Sequence, residues 1–324
     1  MCMAISFKTK SHYFGRNLDL ETDMAQEIIV TPRNYPFKYI TEPTQDEHLA
    51  MIGMGIVSNK YPLYFDATNE RGLSMAGLNF PRFASYKPRL PGKKNIAPFE
   101  FIPWVLSKCA TVAQAKDLIR ETNLINEPFN DKTPLTPLHW MIADKNESIV
   151  VEQTVNGMNI RENPVGVLTN SPAFPFHMLN LANYMNLSAG KPENRFSDDV
   201  DLKPYSRGMG AMGLPGDLSS ASRFVRGTFT KLNSVCGDSE EESVTQFFHI
   251  MDSTKQTKGC CDLGDGKYEY TVYTSCCNTE KGIYYYKTYG NSRINAVSMR
   301  NTNPNRKTLY EFPLNVTQDI QMQN

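Results

Sequence analysis

The chain of 324 residues has no excess of either charge, because 34 lysines and arginines balance 34 aspartates and glutamates. Nucleic-acid-binding domains usually present a basic face, so this balance argues against nucleic acid as a partner. No segment approaches the ~20 apolar residues of a membrane-spanning helix, which argues against a membrane partner. The N-terminal segment MCMAISFKTK lacks a basic region followed by an apolar one, so no secretory signal is indicated. These absences predict a cytoplasmic protein.

Low-complexity tracts, solenoid repeats and long linkers are also absent, so we expect a single domain over residues 1–324. Seven cysteines are an odd number without a regular framework of spacings, which favours free thiols over a disulfide scaffold. Two adjacent pairs, Cys260-Cys261 and Cys276-Cys277, with His249 upstream, leave a cysteine-rich metal-binding or structural protein as one alternative. Adjacent residues on a strand point to opposite faces, so such pairs chelate a metal poorly. We therefore expect neither a metal nor a cofactor.

Hydrophobic periodicity divides the chain into strand-rich and helix-rich stretches. Strands are predicted at 2–7, 12–17, 27–31, 51–58, 63–66, 72–78, 138–144, 148–153, 165–169, 268–275, 282–288 and 294–300. Helices are predicted at 101–109, 112–122, 174–185, 219–232 and 240–251, with Thr111 and Ser239 as N-caps of the second and the last. Strands come in meanders and helices in clusters, which predicts antiparallel sheets covered by helices in a layered α+β fold.

The second residue is a cysteine, and its position is chemically suggestive. Cysteine is small enough for an aminopeptidase to remove the methionine before it, which would leave Cys2 with a thiol and a free α-amine. Both groups titrate close to neutral pH, so one residue would supply a nucleophile and a base, as in an N-terminal nucleophile hydrolase. On position alone, a buried structural cysteine in a first strand is the more common case.

A thiol that cleaves an amide also needs a group that favours the thiolate and donors for the oxyanion. The second predicted strand continues into Gly15–Asp19, and its pairing with the first strand would bring the Arg16 guanidinium near the Cys2 sulfur. Asp19 could accept a hydrogen bond from the α-ammonium. Positions 16 and 19 have opposite parity on an ideal strand, so both face Cys2 only if the chain turns after Asn17. A surface Arg–Asp pair is the alternative interpretation.

Two asparagines and one helix supply further candidates. Asn79 and Asn170 each end an apolar strand near a proline, where an amide and a backbone N–H could form an oxyanion hole. Ordinary turn chemistry accounts for the same pattern. Arg223 and Arg226 lie at i and i+3 on one face of a predicted helix. The five histidines show no triad spacing that would support a Cys–His enzyme.

Together, these segments resemble the choloylglycine hydrolase family, which includes bile salt hydrolases and penicillin V acylases. The resemblance rests on five ordered motifs: the Met-Cys start, GRNLD at Gly15–Asp19, GLNFP at Gly77–Pro81, LTNSP at Leu168–Pro172 and SSASRF at Ser219–Phe224. It implies a four-layer αββα sandwich, in which helices flank two antiparallel sheets, and a homotetramer.

The resemblance also implies roles for individual residues. Cys2 would be the nucleophile, with its own amine as the base, and Arg16 and Asp19 would line it. The Asn170 side chain and the Asn79 backbone would form the oxyanion hole.

On the predicted helix, Arg223 would support this site. Asn79, in place of the Tyr expected in penicillin V acylases, favours hydrolysis of glycine- or taurine-conjugated bile acids. Penicillin V acylase or another N-acyl amide hydrolase is the alternative. A steroid substrate needs an apolar, concave wall. The candidate wall residues, all near predicted loops, are Leu20, Met24, Phe65, Ala67, Phe129 and Leu135.

Overall fold

Two large antiparallel sheets dominate the computed structural model, which describes residues 1–324. The strands are β1 (Cys2–Lys8), β2 (His12–Leu20), β3 (Glu27–Thr31), β4 (Met51–Ser58), β5 (Tyr61–Asn69), β6 (Ser74–Asn79), β7 (Lys94–Ile96), β8 (Thr122–Leu124), β9 (Leu138–Ala143), β10 (Ser148–Thr154), β11 (Gly157–Glu162), β12 (Val167–Leu168), β13 (Asp262–Gly264), β14 (Lys267–Tyr268), β15 (Tyr270–Asn278), β16 (Ile283–Thr288), β17 (Asn291–Ser298) and β18 (Tyr310–Pro313). The helices are α1 (Phe101–Lys108), α2 (Val112–Glu121), α3 (Phe174–Asn180), α4 (Ser220–Asn233) and α5 (Glu240–Asp252).

The first sheet has six strands in the order β12-β1-β2-β15-β16-β17. The second has eight, in the order β11-β10-β9-β6-β5-β4-β3-β18. Tight turns join many neighbouring strands. Between β4 and β5, for example, Asn59 and Lys60 both have positive φ angles (51° and 63°), which suits the two-residue turn that matches strand twist. The meander pattern of the sequence therefore predicts the local connections correctly.

Helices cover the outer side of each sheet. Helices α4 and α5 contact β1 and β2 of the first sheet, and α1 contacts β5 and β6 of the second. One core cluster of 34 buried residues includes the facing surfaces of the two sheets. A second cluster of 27 buried residues lies between the second sheet and helices α1 and α2. The order helix, sheet, sheet, helix confirms the expected αββα sandwich of the α+β class.

Two predicted helices begin at their predicted caps. The Thr111 hydroxyl accepts from Gln114 N at 3.2 Å, and the Ser239 hydroxyl accepts from Glu242 N at 3.1 Å. The third helix is shorter than predicted, because α3 ends at Asn180 and a 3₁₀ turn follows it.

Strand β2 is longer than predicted, and the chain does not turn after Asn17. It continues to Leu20 because this end of β2 pairs with β15, where Leu20 lies opposite Tyr270. The two strands also approach closely at Gly15, where a Cβ atom would lie only 2.0 Å from the Ser275 carbonyl oxygen. A larger residue at position 15 would therefore push β15 away from β2.

All seven cysteines are free thiols, and Cys276 and Cys277 are buried in β15. No group of three or more His, Cys, Asp or Glu side chains is placed to hold a metal ion. None of the helices combines the length and the apolar character needed to cross a lipid bilayer.

Candidate active site

Cys2 begins the first strand and is only 3% exposed. In the antiparallel pair with β2, Ala4 lies opposite Arg16. Since side chains alternate along a strand, Cys2 and Arg16 lie on the same face, which is directed toward the second sheet. Asn17 points the other way, where its amide donates to the Met251 carbonyl of α5 at 2.9 Å. The strand pairing therefore places Cys2 and Arg16 on one face of the sheet, as the sequence predicts.

The Arg16 guanidinium bridges the two sheets. Its Nη1 donates to the Phe65 carbonyl at 2.9 Å and to the Gly77 carbonyl at 2.5 Å. Its Nε and Nη2 are buried and have no hydrogen-bond partner. Burial lowers the pKa of Arg16, but the neighbouring Cys2 and Asp66 outweigh this effect and raise the pKa above its usual value. Arg16 is therefore a fixed, buried cation on the same face of the first sheet as Cys2.

A buried carboxylate that the sequence analysis missed lies near Arg16. Asp66 accepts hydrogen bonds from three hydroxyl groups of the first sheet, on Tyr273 (2.7 Å), Ser275 (3.3 Å) and Tyr284 (2.6 Å). Burial raises the pKa of Asp66. An aspartate inside the largely apolar strand β5 was the signal that could have revealed it, because buried carboxylates are rare unless they have partners.

Asp19 lies on the opposite face of the first sheet from Arg16, because β2 does not turn after Asn17. Its carboxylate accepts from the Thr271 hydroxyl at 2.6 Å and from the Gln256 amide at 3.1 Å. With Met1 in front of Cys2, the Asp19 carboxylate receives no hydrogen bond from an α-ammonium, because the Met1 ammonium donates to the Asp19 backbone carbonyl instead. Asp19 nevertheless borders the same cavity as Cys2.

Met1 pairs with the end of β2 through its backbone. Its ammonium donates to the Asp19 carbonyl at 2.9 Å, and its own carbonyl accepts from Asp19 N at 2.9 Å. The ammonium also forms an ion pair with Glu269. Burial lowers the pKa of this amine. No sequence signal pointed to Glu269, because it lies near the other end of the chain.

Asn170 joins three of the predicted site residues. Its Oδ1 accepts from the Cys2 backbone nitrogen at 2.6 Å and from Arg223 Nη2 at 2.8 Å, while its Nδ2 donates to the Asn79 carbonyl at 2.8 Å. Two donors facing Oδ1 and one acceptor facing Nδ2 fix the orientation of the amide. An amide nitrogen carries two hydrogens, so one remains for an oxyanion.

Arg223 extends from α4 into the same network. Its Nη1 donates to the Cys2 carbonyl at 2.6 Å, and its Nε donates to the Leu218 carbonyl at 3.0 Å. Arg226, although it lies one turn further along the same helix, donates to the carbonyls of Ser253 (2.7 Å) and Pro215 (2.7 Å) instead. The predicted pair of arginines thus separates into one that holds Cys2 and one that ties loops to the helix.

A cavity of about 400 Å³ lies beside Cys2 and Arg16, and 15 of its 25 lining residues are hydrophobic. Five of the six predicted wall residues line it, namely Leu20, Met24, Phe65, Phe129 and Leu135. Its other apolar lining residues include Ile56, Leu63, Phe99, Ile102 and Trp140. The sequence analysis missed these because an apolar residue that lines a cavity looks the same in sequence as one in the core.

Ala67 lies outside this cavity, which corrects the sequence-based prediction. The register of β4 and β5 shifts between Tyr64 and Asp66, which leaves Phe65 as an extra residue in β5. Asp66 faces the first sheet, so the next side chain, Ala67, points to the opposite face. There it is buried in the cluster that α1 and α2 cover.

Comparison with known proteins identifies the family. The chain matches the family described as linear amide C–N hydrolases, choloylglycine hydrolase family, over residues 2–312. The chain belongs to the choloylglycine hydrolase family. The resemblance inferred from the five sequence motifs is therefore confirmed, and so is the expectation of an enzyme that acts on linear amide bonds.

Relatives with stated activities are similar over nearly the full length. A bile salt hydrolase/transferase of Lactiplantibacillus plantarum is 51% identical, with 97% of each chain covered. Another, from Clostridium perfringens, is 39% identical, with 99% of each chain covered. The crystal structure of a mutant conjugated bile acid hydrolase from Clostridium perfringens superposes with a TM-score of 0.93, at 37% identity and with all of each chain covered.

A more distant relative shares the fold. The structure of penicillin V acylase from Agrobacterium tumefaciens gives a TM-score of 0.75 at 19% identity, with 98% of this chain and 92% of that one covered. At this level of identity the likeness supports the sandwich architecture and says nothing about the substrate.

Proposed function

We propose that this chain hydrolyses the amide bond that joins a bile acid to glycine or taurine, with Cys2 as the nucleophile. The observation that carries the proposal is the Asn170 amide, which connects the Cys2 backbone nitrogen to the Asn79 carbonyl. This amide brings a donor for an oxyanion next to a thiol that Arg16 polarises. The stated activity of the relatives from Lactiplantibacillus plantarum and Clostridium perfringens supports the choice of substrate.

In the first half of the reaction, the Cys2 thiolate attacks the amide carbon. A C–S bond forms, and the electrons of the C=O double bond move to its oxygen. The free Nδ2 hydrogen of Asn170 and the backbone N–H of Asn79 donate to this oxyanion. The C–N bond then breaks, and the α-ammonium of Cys2 gives a proton to the departing glycine or taurine. A bile acid thioester of Cys2 remains.

In the second half, the Cys2 amine is neutral and acts as a general base. It takes a proton from water while the water oxygen attacks the thioester carbon, and the same two donors stabilise the new oxyanion. The C–S bond breaks, which releases the free bile acid and restores both the thiolate and the ammonium. The Cys2 amine carries the proton in both halves, so no histidine is needed.

This mechanism requires that Met1 be removed. With Met1 in place, the Cys2 nitrogen belongs to a peptide bond that donates to Asn170 Oδ1, and a peptide nitrogen is not a base. We expect mass spectrometry of active enzyme to show a chain that begins at Cys2. Full activity of a chain that retains Met1 would contradict the mechanism.

The substrate can be tested directly. Purified enzyme is given glycocholate, taurocholate or penicillin V in separate reactions, and the released amine is measured, with the Cys2→Ala variant as the blank. We expect release from at least one bile salt, because the apolar cavity beside Cys2 suits a steroid body. Release from penicillin V alone would favour the acylase alternative and contradict the proposal.

The proposed assembly is a homotetramer in the cytoplasm. Support comes from the segment between α3 and α4, which exposes large apolar side chains that a second copy could cover. Exposed examples are Met185 (83%), Phe196 (83%) and Tyr205 (82%). Light scattering after gel filtration should give four times the chain mass of 36.7 kDa. A monomeric mass at micromolar concentration would contradict the assembly.

A further inference from the structure

Two buried histidines with no part in this reaction hold the backbone at Asn170. His139 Nε2 lies 2.9 Å from the Thr169 carbonyl oxygen, and His177 Nε2 lies 2.8 Å from the Asn170 carbonyl oxygen. Both histidines are completely buried, and neither lines the cavity beside Cys2. A carbonyl oxygen can only accept, so Nε2 is the donor in each case.

His139 connects the two sheets where the site lies. It belongs to β9 of the second sheet and sits opposite Leu78, one residue before Asn79. Its Nδ1 lies 3.2 Å from a Glu152 carboxylate oxygen of β10, and its ring stacks on Phe80 with 4.2 Å between centroids. The ring is therefore fixed within the second sheet, while its Nε2 reaches the chain that leaves β12 of the first.

His177 approaches the same peptide from α3. Its ring stacks on Phe224 of α4 with 4.9 Å between centroids, and its Nδ1 has no partner. Burial lowers the pKa of His177 to about 4, so the ring is neutral and has a single N–H at ordinary pH. That N–H is fully used by the Asn170 carbonyl.

We propose that His139 and His177 are positioning residues that fix the Asn170 amide between Cys2 and Asn79. The inference rests on the proposed function, in which this amide stabilises the oxyanion. Asn79 belongs to the second sheet, and Asn170 follows an edge strand of the first. A donor must meet the oxyanion with accurate geometry, so the segments that carry Asn79 and Asn170, which belong to different layers, need a direct contact at this point. His139 supplies that contact by donating to the carbonyl at 169, and His177 of α3 fixes the next carbonyl, at 170.

His177 offers a test that separates the hydrogen bond from the packing. His177→Phe keeps a ring against Phe224 and deletes the donor, whereas His177→Gln keeps a donor near the Nε2 position. We expect His177→Phe to lower kcat for glycocholate by about 10- to 100-fold, because small misplacements of catalytic groups cost rates of this order. KM should change little, and His177→Gln should recover most of the lost kcat.

Two further readouts and one control variant distinguish positioning from acid–base catalysis and from simple destabilisation. The rate at which iodoacetamide alkylates Cys2, and the shape of the pH–rate profile, should be unchanged in His177→Phe. His48 supplies a matched control, because its Nε2 also lies 2.8 Å from a backbone carbonyl, that of Tyr35, and its ring also packs on an aromatic side chain, that of Phe37. His48→Phe should lower the melting temperature and leave kcat intact.

If His177→Phe does not fold, His139→Phe and His139→Gln provide the same comparison from the second sheet. Wild-type kcat in the folded Phe variants would overturn the inference. The inference would also be overturned if neither Gln variant recovered kcat and the pH–rate profile lost one of its limbs. If the wild-type enzyme releases no amine from bile salts, the proposed function is contradicted, and this inference, which rests on it, is contradicted as well.

Discussion

The two ends of strand β1 border hollows of opposite character. At its start, Cys2 lies beside a cavity of about 400 Å³ in which 15 of 25 lining residues are hydrophobic. At its end, Ser6 and Lys8 border a groove of about 580 Å³ in which only 2 of 16 lining residues are hydrophobic. The groove even contains a serine–histidine pair, because Ser6 Oγ lies 2.8 Å from His12 Nε2. A choice based only on volume and on the presence of a nucleophile–base pair would therefore select the groove and not the cavity beside Cys2.

The surroundings of each pair explain the difference. His12 Nδ1 meets the Thr279 hydroxyl at 2.9 Å, so no carboxylate orients the ring, and burial lowers the pKa of His12 to about 4. Lys231, which also lines the groove, donates a hydrogen bond to the Val165 carbonyl at 2.6 Å. At Cys2, by contrast, a guanidinium, an amide and a second guanidinium converge from different elements of the fold. This convergence of polar groups on a single residue supports Cys2 as the reactive one.

The strongest way to break this comparison is to remove each nucleophile in turn. Cys2→Ala should lower kcat for glycocholate by at least about 10⁴-fold, because loss of a nucleophile removes covalent catalysis altogether. Ser6→Ala should leave kcat within about twofold, because surface-groove substitutions away from the chemistry have small effects. The test is to measure amine release by both purified variants and compare it with that of the wild type. A comparable loss in Ser6→Ala would show that the groove takes part in the reaction.

Two buried asparagines that flank β12 sharpen the comparison. Asn170→Ala should lower kcat by roughly two to three decades, since it deletes an oxyanion donor. Asn163, at the groove, is equally buried, but its amide only bridges the Val167 carbonyl (3.0 Å) and Gly166 N (2.9 Å). Asn163→Ala should therefore lower the melting temperature while kcat stays near that of the wild type. Near wild-type kcat in Asn170→Ala would remove Asn170 from the oxyanion hole.

Local sequence signals predicted much of this arrangement. Alternation predicted β1 and β2, and the N-caps predicted the starts of α2 and α5. The five motifs contain Cys2, Arg16, Asn79, Asn170 and Arg223, which the fold brings close together. These signals succeed because strand pairing and capping depend on nearby residues. Three contacts run between motifs, because Arg16 donates to the Gly77 carbonyl, Asn170 to the Asn79 carbonyl and Arg223 to Asn170 Oδ1.

The features that sequence could not predict depend on contacts between layers or on irregular register. Ala67 was misplaced because the shift at Phe65 reverses the alternation of β5, and no local pattern marks a bulge. Asp19 was expected near Arg16 if the chain turned, but the pairing of β2 with β15 keeps the strand straight. His139 and His177 looked irrelevant because they lack triad spacing, although their role depends on carbonyls far along the chain.

The smallest expected effect concerns acid stability at the groove end. The pKa of His12 is about 4 in the folded chain and 6.5 in the reference state, so the unfolded chain binds more protons between these values. Stability should therefore fall as the pH is lowered from about 6.5 toward 4, by roughly 1–3 kcal/mol from this residue. His12→Gln cannot take up that proton, so its unfolding free energy in urea should fall less between pH 7 and pH 4.5. Its kcat at pH 7 should match that of the wild type, because the groove does no chemistry. If the unfolding free energies of the wild type and His12→Gln had the same pH dependence, His12 would not be a buried, neutral histidine whose protonation favours unfolding.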